Sequence, residues 1–383
     1  MGRPNLPSTE ALFARLRGVL ERRWLTNDGS EVRDFEARIA ELCGVRNCVA
    51  VCNGTIALEI AIRAAGLTGE VIVPSFTFVA TAHALQWLGI TPVFCDIDET
   101  YCLDPRRVEE LISPRTSGIL GVHLWGRTCN VEALEEICRS RQLKLIFDAA
   151  HAFQCSRNGR MVGGFGCAEV FSFHATKFLN TAEGGAVLTN DDAFAESCRR
   201  LRNFGFAGED KVLSIGTNGK MSELHASMGI ASLEKLPEFI AANQRNYAEY
   251  AAALASVPGF NLLPYDAHES NNYQYVVVDV DERSGLDRDQ WHALLHAENL
   301  MARRYFYPGC HRMEPYRTLY SDAGLRLPRT EHACSRILCL PTGTAVGPDE
   351  IRDTCELLSF AAHNAAELRS RWPLPMPGAE TQW

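Results

Sequence analysis

The chain has 383 residues, of which 46% are hydrophobic and 22% are charged, which is typical of a globular protein with one large or two ordinary domains. Its formal net charge of −9 argues against nucleic acid and anionic membrane as partners, because both are negatively charged. No apolar run is long enough to cross a bilayer, and the first ten residues lack the apolar centre of a signal peptide.

The 14 cysteines are scattered along the chain rather than grouped into a compact framework. Those at residues 43–52 lack the paired C-x-x-C spacing of a zinc site, so no metal site is predicted. Most cysteines lie inside apolar runs, where a reduced cysteine behaves as a small hydrophobic residue. Reduced cysteines are typical of a reducing compartment, and the sequence therefore predicts a cytoplasmic protein.

In chain order, residues 9–22 and 31–42 have helical spacing, and turn-forming residues separate them. Short apolar strands then alternate with amphipathic helices, which predicts a mostly parallel sheet with helices on both faces. The last two strands leave no room for a helix between them, so one strand is predicted to run antiparallel. The predicted strands are NCVAV, EVIVPSF, TPVFCDI, SGILGVHLW, LKLIFDA, AEVFSF and GAVLTN, and the helices are at 55–65, 79–88, 105–112, 131–141 and 192–203.

A small α+β unit is predicted after a long helical pattern that covers residues 221–256. Its apolar segments are YQYVVVDV, ARRYFYP and RILCLP, and its helices are at 287–299 and 348–365. This change in element order places a boundary near residue 240. We predict an N-terminal segment at 1–30, a large domain at 31–240, a small C-terminal domain at 241–370 and a poorly ordered tail at 371–383.

Polar residues follow three predicted strands, at the carboxyl ends where open α/β sheets bind ligands. Gly54 and Thr55 lie between a strand and a helix N-terminus, where free backbone N–H groups favour an anion. Asp148 and Lys177 each follow a buried strand. Each residue considered alone has an ordinary structural explanation: the glycine allows a turn, the aspartate caps a helix and the lysine is solvated. Together they match what pyridoxal phosphate requires: phosphate donors, a carboxylate for the pyridine nitrogen and a lysine that forms an imine.

The residue types suit this chemistry. Only an amine forms the imine and exchanges it with an amino donor, and the released amine of Lys177 can then act as general base and acid. Asp148 would keep the pyridine nitrogen protonated through a charge-assisted hydrogen bond, which makes the ring a strong electron sink. The sequence therefore predicts Lys177 and Asp148 as catalytic residues of a pyridoxal phosphate site.

Several motifs resemble those of one enzyme family. FSFHATK and EGGAVLTND, together with FDAAHAF, VCNGT and VPSFTFVATAHAL, have the order and spacing of the sugar aminotransferases of the DegT/DnrJ/EryC1/StrS family. The resemblance runs from Trp24 to Thr342. It implies the fold-type I architecture of pyridoxal phosphate enzymes, an α/β fold with a mostly parallel seven-stranded sheet flanked by helices, and a smaller C-terminal α+β domain.

The resemblance also implies roles by position. Lys177 matches the imine lysine, Asp148 the partner of the pyridine nitrogen, His151 a catalytic position near the ring hydroxyl, and Phe78 the aromatic residue that stacks on the ring. Asn218 matches an asparagine that reaches the phosphate from the neighbouring subunit, which implies a homodimer with shared active sites. The implied cofactor-binding residues are Gly54, Thr55, Phe78, Asp148, His151, Ser172, Lys177 and Asn218.

Two further stretches, RRWLTNDGSEV and ARRYFYPGCHRMEPY, resemble the subgroup that aminates C4 of dTDP-4-keto-6-deoxyglucose. The implied product is dTDP-4-amino-4,6-dideoxyglucose, with L-glutamate as amino donor, in deoxysugar biosynthesis for an antibiotic or a surface glycan. Residues 305–307 are either an aromatic wall for the sugar or base, or a plain edge strand. The predicted substrate contacts are Trp24, Thr26, Lys220, Arg303, Tyr305, Tyr307 and His311.

Other functions stay open at this point. Amination at C3 of a 3-keto isomer differs only in how the pocket orients the hexose. A non-catalytic partner or regulator that binds pyridoxal phosphate belongs to a different class, although every catalytic position is filled. Relatives that dehydrate sugars carry His at the imine position, and Lys177 therefore favours transamination. His174 has no predicted role.

Overall fold

The computed structural model describes residues 3–371, and the predicted tail lies outside them from residue 372 onward. The helices are α1 Thr9–Arg22, α2 Ser30–Cys43, α3 Gly54–Ala64, α4 Val79–Trp87, α5 Pro105–Leu111, α6 Val131–Arg141, α7 Asp192–Leu201, α8 Glu223–Leu233, α9 Leu236–Leu254, α10 Arg288–Ala297, α11 Tyr316–Leu319, α12 Pro328–Arg336, α13 Pro348–His363 and α14 Ala365–Arg371. The strands are β1 Asn47–Val51, β2 Glu70–Pro74, β3 Thr91–Cys95, β4 Thr116–Val122, β5 Lys144–Asp148, β6 Ser156–Arg157, β7 Arg160–Met161, β8 Ala168–Ser172, β9 Gly185–Thr189, β10 Phe260–Leu262, β11 Val276–Val280 and β12 Ile337–Leu340. Among these helices, none is long and apolar enough to cross a membrane.

The large sheet has seven strands in the order β1-β9-β8-β5-β4-β2-β3. Strands β2, β3, β4, β5 and β8 run parallel, whereas β9 is antiparallel to both of its neighbours, β1 and β8. The predicted sheet and its antiparallel strand are therefore confirmed. The physical reason is the connection at residues 173–184, which joins β8 to β9 as a loop without a crossover helix.

The predicted helices of the large sheet are confirmed, but the long helical pattern at 221–256 forms two helices, α8 and α9. Pro237 lies in the first turn of α9, where its missing N–H is tolerated. In the interior of one continuous helix, its ring would clash with the preceding turn. Helix α9 then runs through residue 240 without a break.

The smaller unit contains a second sheet of three antiparallel strands, β10-β11-β12. The edge-strand interpretation of residues 305–307 is wrong. Arg303 makes a single bridge to Cys339, and the chain then curls into turns in which the N–H of Gly309 donates to the carbonyl of Phe306 at 2.9 Å. The pairing therefore stops after Arg303, and Pro308, which has no N–H to donate, could not extend a ladder beyond these turns.

Apolar side chains cover both faces of the large sheet. On one face α2 and α8 pack in a cluster with Phe35 and Phe147. On the other face α3, α4 and α7 form a cluster that includes Leu58 and Leu85. A third cluster, around Trp291, fills the smaller unit. Because helices bury both faces, a polar site has to lie at the ends of the strands.

Helix α2 begins with a cap from another helix. Its N-cap residue, Gly29, has no capping side chain, and the carboxylate of Glu223 accepts hydrogen bonds from the N–H groups of Glu31 at 3.0 Å and Val32 at 2.9 Å. A Cβ on Gly29 would lie 2.4 Å from this carboxylate, so the approach requires glycine. Glu223 is 0% exposed, and its two hydrogen bonds therefore connect the first turn of α2 to the start of α8.

We expect Glu223→Ala to lower the free energy of unfolding by about 1–3 kcal/mol, because two buried N–H groups lose their acceptor. Urea unfolding followed by circular dichroism measures this change. Glu238→Ala is the control, since this exposed glutamate only pairs with Lys235 at 2.7 Å, and an exposed pair contributes less than about 1 kcal/mol. Equal effects of the two variants would contradict the capping role.

Candidate active site

A cavity of about 420 Å³ opens at the carboxyl edge of the large sheet. Residues that follow β1, β2, β4, β5 and β8 line it, and these strands run in the same direction, so their carboxyl ends meet. The smaller unit adds Tyr305 and Phe306 to the wall. The cavity brings together all but one of the predicted cofactor-binding residues: Gly54, Thr55, Phe78, Asp148, His151, Ser172 and Lys177.

Asp148 ends β5 and is 7% exposed. One of its carboxylate oxygens accepts a hydrogen bond from the hydroxyl of Thr81 at 2.9 Å, and the other accepts from the N–H of Ala150 at 3.1 Å. Burial raises the pKa of the Asp148 carboxyl, while these hydrogen bonds and the amine of Lys177 lower it. Because a buried carboxylate is costly, a cation placed beside it in the cavity would be stabilised.

Lys177 lies in the loop between β8 and β9. Its N–H donates to the carbonyl of His174 at 2.8 Å, and the N–H of Thr181 donates to the carbonyl of Phe173 at 2.9 Å, so the loop folds back over the end of β8. Burial lowers the pKa of the Lys177 amine to about 8, and the carboxylate of Asp148 opposes this shift. An appreciable fraction of the amine is therefore unprotonated near neutral pH, as a nucleophilic amine requires.

His151 is buried beside this pair. The N–H of Trp125 donates to its Nδ1 at 3.3 Å, so Nε2 carries the proton of the neutral ring. Burial, and then the charge of Lys177, lowers the pKa of His151 well below its ordinary value, which keeps the ring neutral. The ring stacks on Phe306 with centroids 5.8 Å apart. His151 therefore offers a neutral N–H donor rather than a positive charge.

The start of α3 presents unpaired N–H groups. The side chain of Asn53 caps the helix by accepting from the N–H of Ile56 at 2.8 Å. Across residues 3–371, the N–H groups of Gly54 and Thr55 have no acceptor, and they lie at the positive end of the helix dipole. Ser172 packs against this turn, since a Cβ on Gly54 would lie 2.8 Å from the Cβ of Ser172. The close approach of α3 and β8 thus builds a site for an anion.

Aromatic residues form another wall of the cavity. Phe78 is 55% exposed, and its ring lies 6.3 Å from that of Phe306. The rings of Tyr305 and Phe306 stack at 4.8 Å. Tyr307 does not line the cavity and instead packs against the guanidinium of Arg304, 4.4 Å from the ring centroid. The turns after residue 303 therefore place Tyr305 and Phe306 at the cavity, rather than the predicted Tyr305 and Tyr307.

His311 lies away from the cavity. Its Nδ1 bonds to the hydroxyl of Ser75 at 2.7 Å, its Nε2 bonds to the carboxylate of Glu331 at 2.6 Å, and the residue is 4% exposed. Both ring nitrogens are thus used inside the protein. Arg303 also lies outside the cavity lining, and its backbone pairs with that of Cys339. The structure does not bring His311 or Arg303 to the other site residues.

Four further predicted residues lie on the surface, outside the cavity of their own chain. Trp24 is 55% exposed and Thr26 is exposed as well. Asn218 is exposed, and its side-chain oxygen accepts a hydrogen bond from Nζ of Lys220 at 2.6 Å. None of the four lines the cavity. Within a single chain they do not meet Lys177.

Two residues at or behind the site, Thr81 and Tyr275, were not predicted, and Phe306 was predicted only as part of the aromatic run. The hydroxyl of Thr81 donates a hydrogen bond to Asp148. The sequence feature that could have indicated this role is a polar residue inside the largely apolar helix α4. Tyr275 is 2% exposed, and its hydroxyl has no hydrogen-bond partner among the described residues. Phe306 belongs to the aromatic run, but sequence spacing could not tell which of its rings faces the cavity. His174, which had no role, lines the cavity with its Nε2 3.6 Å from Glu183.

We expect the amine of Lys177 in cofactor-free protein to react with an acylating reagent with a pH midpoint near its pKa of about 8. Asp148→Asn should move this midpoint to lower pH, because the carboxylate that favours the charged amine is gone. Mass spectrometry of the labelled peptides measures the rate at each pH, with Lys211 as an internal reference. Asp98→Asn, which removes a distant carboxylate, is the control. A midpoint that moved upward in Asp148→Asn would contradict the arrangement.

Comparison with known proteins identifies the family. A model of the DegT/DnrJ/EryC1/StrS aminotransferase family matches residues 8–359. The dTDP-4-amino-4,6-dideoxy-D-glucose transaminase of Escherichia coli is 35% identical over 359 residues, which cover 93% of this chain and 96% of that protein. GDP-perosamine synthase of Caulobacter vibrioides is 35% identical over 332 residues, with 83% and 89% covered. The crystal structure of DesI in the presence of its TDP-sugar product has a TM-score of 0.91 at 48% identity and covers 96% of this chain and 94% of that chain. The predicted resemblance is thus confirmed: the chain belongs to the DegT/DnrJ/EryC1/StrS aminotransferase family.

Proposed function

We propose that the protein is a pyridoxal phosphate-dependent aminotransferase that converts dTDP-4-keto-6-deoxyglucose to dTDP-4-amino-4,6-dideoxyglucose, with L-glutamate as amino donor. The observation that carries the proposal is the meeting of Lys177, Asp148 and the Gly54–Thr55 turn at one cavity. The named activity of the Escherichia coli relative, and the crystal structure of DesI in the presence of its TDP-sugar product, support the substrate class. The reaction would serve deoxysugar biosynthesis for an antibiotic or a surface glycan.

The residues present fit pyridoxal phosphate. The buried carboxylate of Asp148, whose pKa burial raises, suits a protonated pyridine nitrogen. The unpaired N–H groups of Gly54 and Thr55, with the hydroxyl of Ser172, suit a phosphate. Lys177 supplies the amine for covalent attachment. When bound, the cofactor supplies an electron sink that stabilises negative charge at the reacting carbon.

The chain's own residues supply acid–base chemistry and orientation. Nζ of Lys177, with a pKa of about 8, can take a proton from the α-carbon of the amino donor and later return one to the sugar carbon. Thr81 and Ala150 hold the carboxylate of Asp148 in place through their hydrogen bonds. His151 would donate its Nε2 proton to the ring hydroxyl, because Nδ1 already accepts from the backbone. Phe78 would stack on the cofactor ring.

The charge of the cavity supports a homodimer with shared sites. Lys177 is the one Lys or Arg among the described residues that line it, yet the cofactor phosphate, the sugar diphosphate and glutamate are all anionic. Asn218 and Lys220 lie on the surface beside an exposed apolar segment. We infer that this surface docks on a second copy and brings Asn218 and Lys220 to the partner's cavity. Exposed apolar residues of the segment are Phe204, Phe206, Val212, Leu213 and Ile215.

The remaining predicted substrate contacts differ in whether they can reach a substrate in the cavity. Tyr305, with Phe306, forms the wall for the hexose. Trp24 and Thr26 are exposed, so they are accessible to a substrate that contacts both subunits of the dimer. Arg303, Tyr307 and His311 lie outside the cavity of their own chain, so direct contact with the sugar would need a rearrangement.

We further propose that residues 31–240 form the cofactor-binding domain and residues 241–370 the domain that supplies the sugar wall, after the N-terminal segment at 1–30. Support comes from the separate apolar cluster around Trp291 in the smaller unit. We also infer a cytoplasmic location, because all 14 cysteines are free thiols and most are buried, which suits a reducing compartment.

The reaction is tested with purified protein, pyridoxal phosphate and L-glutamate, offered either the 4-keto or the 3-keto dTDP-6-deoxyhexose. NMR of the product should show a new amine at C4 of the first substrate. An amine at C3 of the second substrate alone would establish the alternative aminotransferase. No turnover of either sugar, with pyridoxal phosphate bound, would favour the non-catalytic partner or regulator.

We expect Lys177→Ala to reduce turnover by on the order of 10³-fold or more, since the variant lacks both the attachment point and the acid–base group. In the wild type, borohydride should fix the cofactor on the peptide that contains Lys177, as read by mass spectrometry. In the variant, no covalent label should form. Lys144→Ala, which changes an exposed lysine at the start of β5 outside the cavity, is the matched control and should keep both label and turnover.

Mixing subunits tests the shared site. If Asn218 serves the partner's cavity, a heterodimer of Lys177→Ala and Asn218→Ala subunits has one site with both wild-type residues. Random mixing should then restore up to about a quarter of wild-type activity, although each parent is impaired. Differently tagged subunits and tandem purification isolate the heterodimer. Activity no higher than that of the Asn218→Ala parent would contradict sharing.

A further inference from the structure

Asn5 is buried although it precedes the first helix. It is 3% exposed, and its side-chain and backbone groups bond to two separate parts of the protein. One part is the loop that carries Lys177, and the other is the loop that follows β12 of the smaller unit. A polar side chain is costly to bury unless it is hydrogen-bonded, so these contacts explain its position.

Two hydrogen bonds join Asn5 to the Lys177 loop. Its Nδ2 donates to the carbonyl of Phe178, the residue after Lys177, at 3.0 Å. In return, Nδ2 of Asn180 donates to the backbone carbonyl of Asn5 at 2.7 Å. This reciprocal pair holds residues 178–180 from the side of the N-terminal segment.

The Lys177 loop needs this support because it belongs to no sheet or helix. Among the described residues, two other side chains from distant elements donate hydrogen bonds to the backbone of this loop: the hydroxyl of Ser232 to the carbonyl of Asn180 at 3.2 Å, and Nε2 of Gln274 to the carbonyl of Thr176 at 3.4 Å. The carbonyl of Phe178 has Asn5 as its donor within the described chain. Loss of Asn5 would therefore free the peptide that directly follows the reactive lysine.

The other side of Asn5 is held by the smaller unit. Its Oδ1 accepts from the hydroxyl of Thr344 at 2.9 Å and from the N–H of Thr344 at 3.2 Å. Asn246 on α9 in turn donates to the carbonyls of Gly343 at 3.0 Å and Val346 at 3.1 Å. Asn5 thus links the Lys177 loop to a loop that is itself anchored on α9.

We propose that Asn5 is a positioning residue for Lys177, which sets the placement of the reactive amine against Asp148 although it touches neither. The proposal rests on the proposed role of Lys177 as the attachment point of the cofactor. A small displacement of a reacting group costs a large factor in rate, so a residue at the far end of the loop can control turnover.

Asn5→Asp tests this link with little change in shape. The variant keeps an acceptor for Thr344 but replaces the donor to the carbonyl of Phe178 with a carboxylate oxygen, which repels it. Asn180→Ala removes the reciprocal bond without adding a charge, together with the Oδ1 that accepts from the N–H of Ala182 at 3.3 Å. Ser8→Ala is the control, because it removes the side-chain cap of α1 three residues along and leaves the Lys177 loop untouched.

We expect Asn5→Asp and Asn180→Ala to lower kcat by on the order of tenfold, with the KM for the keto sugar within about threefold of wild type. The pH midpoint of the visible absorbance of cofactor attached to Lys177 should shift by about half a unit or more in both variants. Ser8→Ala should lower the melting temperature but keep kcat and the midpoint. If either Asn5→Asp or Asn180→Ala does not fold, kcat and the midpoint of the remaining variant test the proposal.

Unchanged kcat and an unchanged midpoint in the folded variants would overturn the inference, and a lowered melting temperature alone would make Asn5 a merely stabilising residue. That result would leave the proposed function intact. The two failures are distinguishable, because a wild-type protein without the lysine-bound absorbance would overturn the role of Lys177 itself and, with it, the role of Asn5.

Discussion

Lys177 and Asp148 lie at the ends of neighbouring strands, β8 and β5, where burial makes either charge costly. Burial lowers the pKa of the amine and raises that of the carboxyl, and each group opposes the shift of the other. Each group therefore limits the shift that burial imposes on the other, and the amine of Lys177 keeps a pKa of about 8. The cavity, the anion site and the aromatic wall are arranged around this pair, and they would have no chemical use without it.

The fold leaves the strand ends near this pair as the place for polar groups, because helices cover both faces of the large sheet. Helices bury both faces of the large sheet, so the carboxyl ends of its parallel strands are where polar groups can converge. The antiparallel strand β9 has a local function, because its connection to β8 is a loop that turns back at the cavity and carries Lys177. Side chains of Asn5, Ser232 and Gln274, from three other parts of the chain, donate hydrogen bonds to the backbone of that loop.

Spacing along the chain was sufficient to predict Lys177, Asp148 and the Gly54–Thr55 turn as one site. The reason is topological: residues that end parallel strands share an edge, whatever the side chains between them. The aromatic run at 305–307 was only half predictable. A strand would have alternated its rings between two faces, but the pairing ends at Arg303, and the turns that follow place Tyr305 and Phe306 together at the cavity.

The amino-acid sequence by itself determined the family and the sheet, and it was sufficient to propose Lys177 as the reactive amine, because periodicity and motif order can be read along a single chain. Tertiary structure decided which polar residues face the cavity. His311 has the same chemistry as His151, but Ser75 and Glu331 occupy both of its ring nitrogens. Asn5 had no predicted role within the N-terminal segment, and only folding brought it to the peptide beside Lys177. Hydrogen bonds between residues more than a hundred positions apart have no local signature, so the fold alone reveals them.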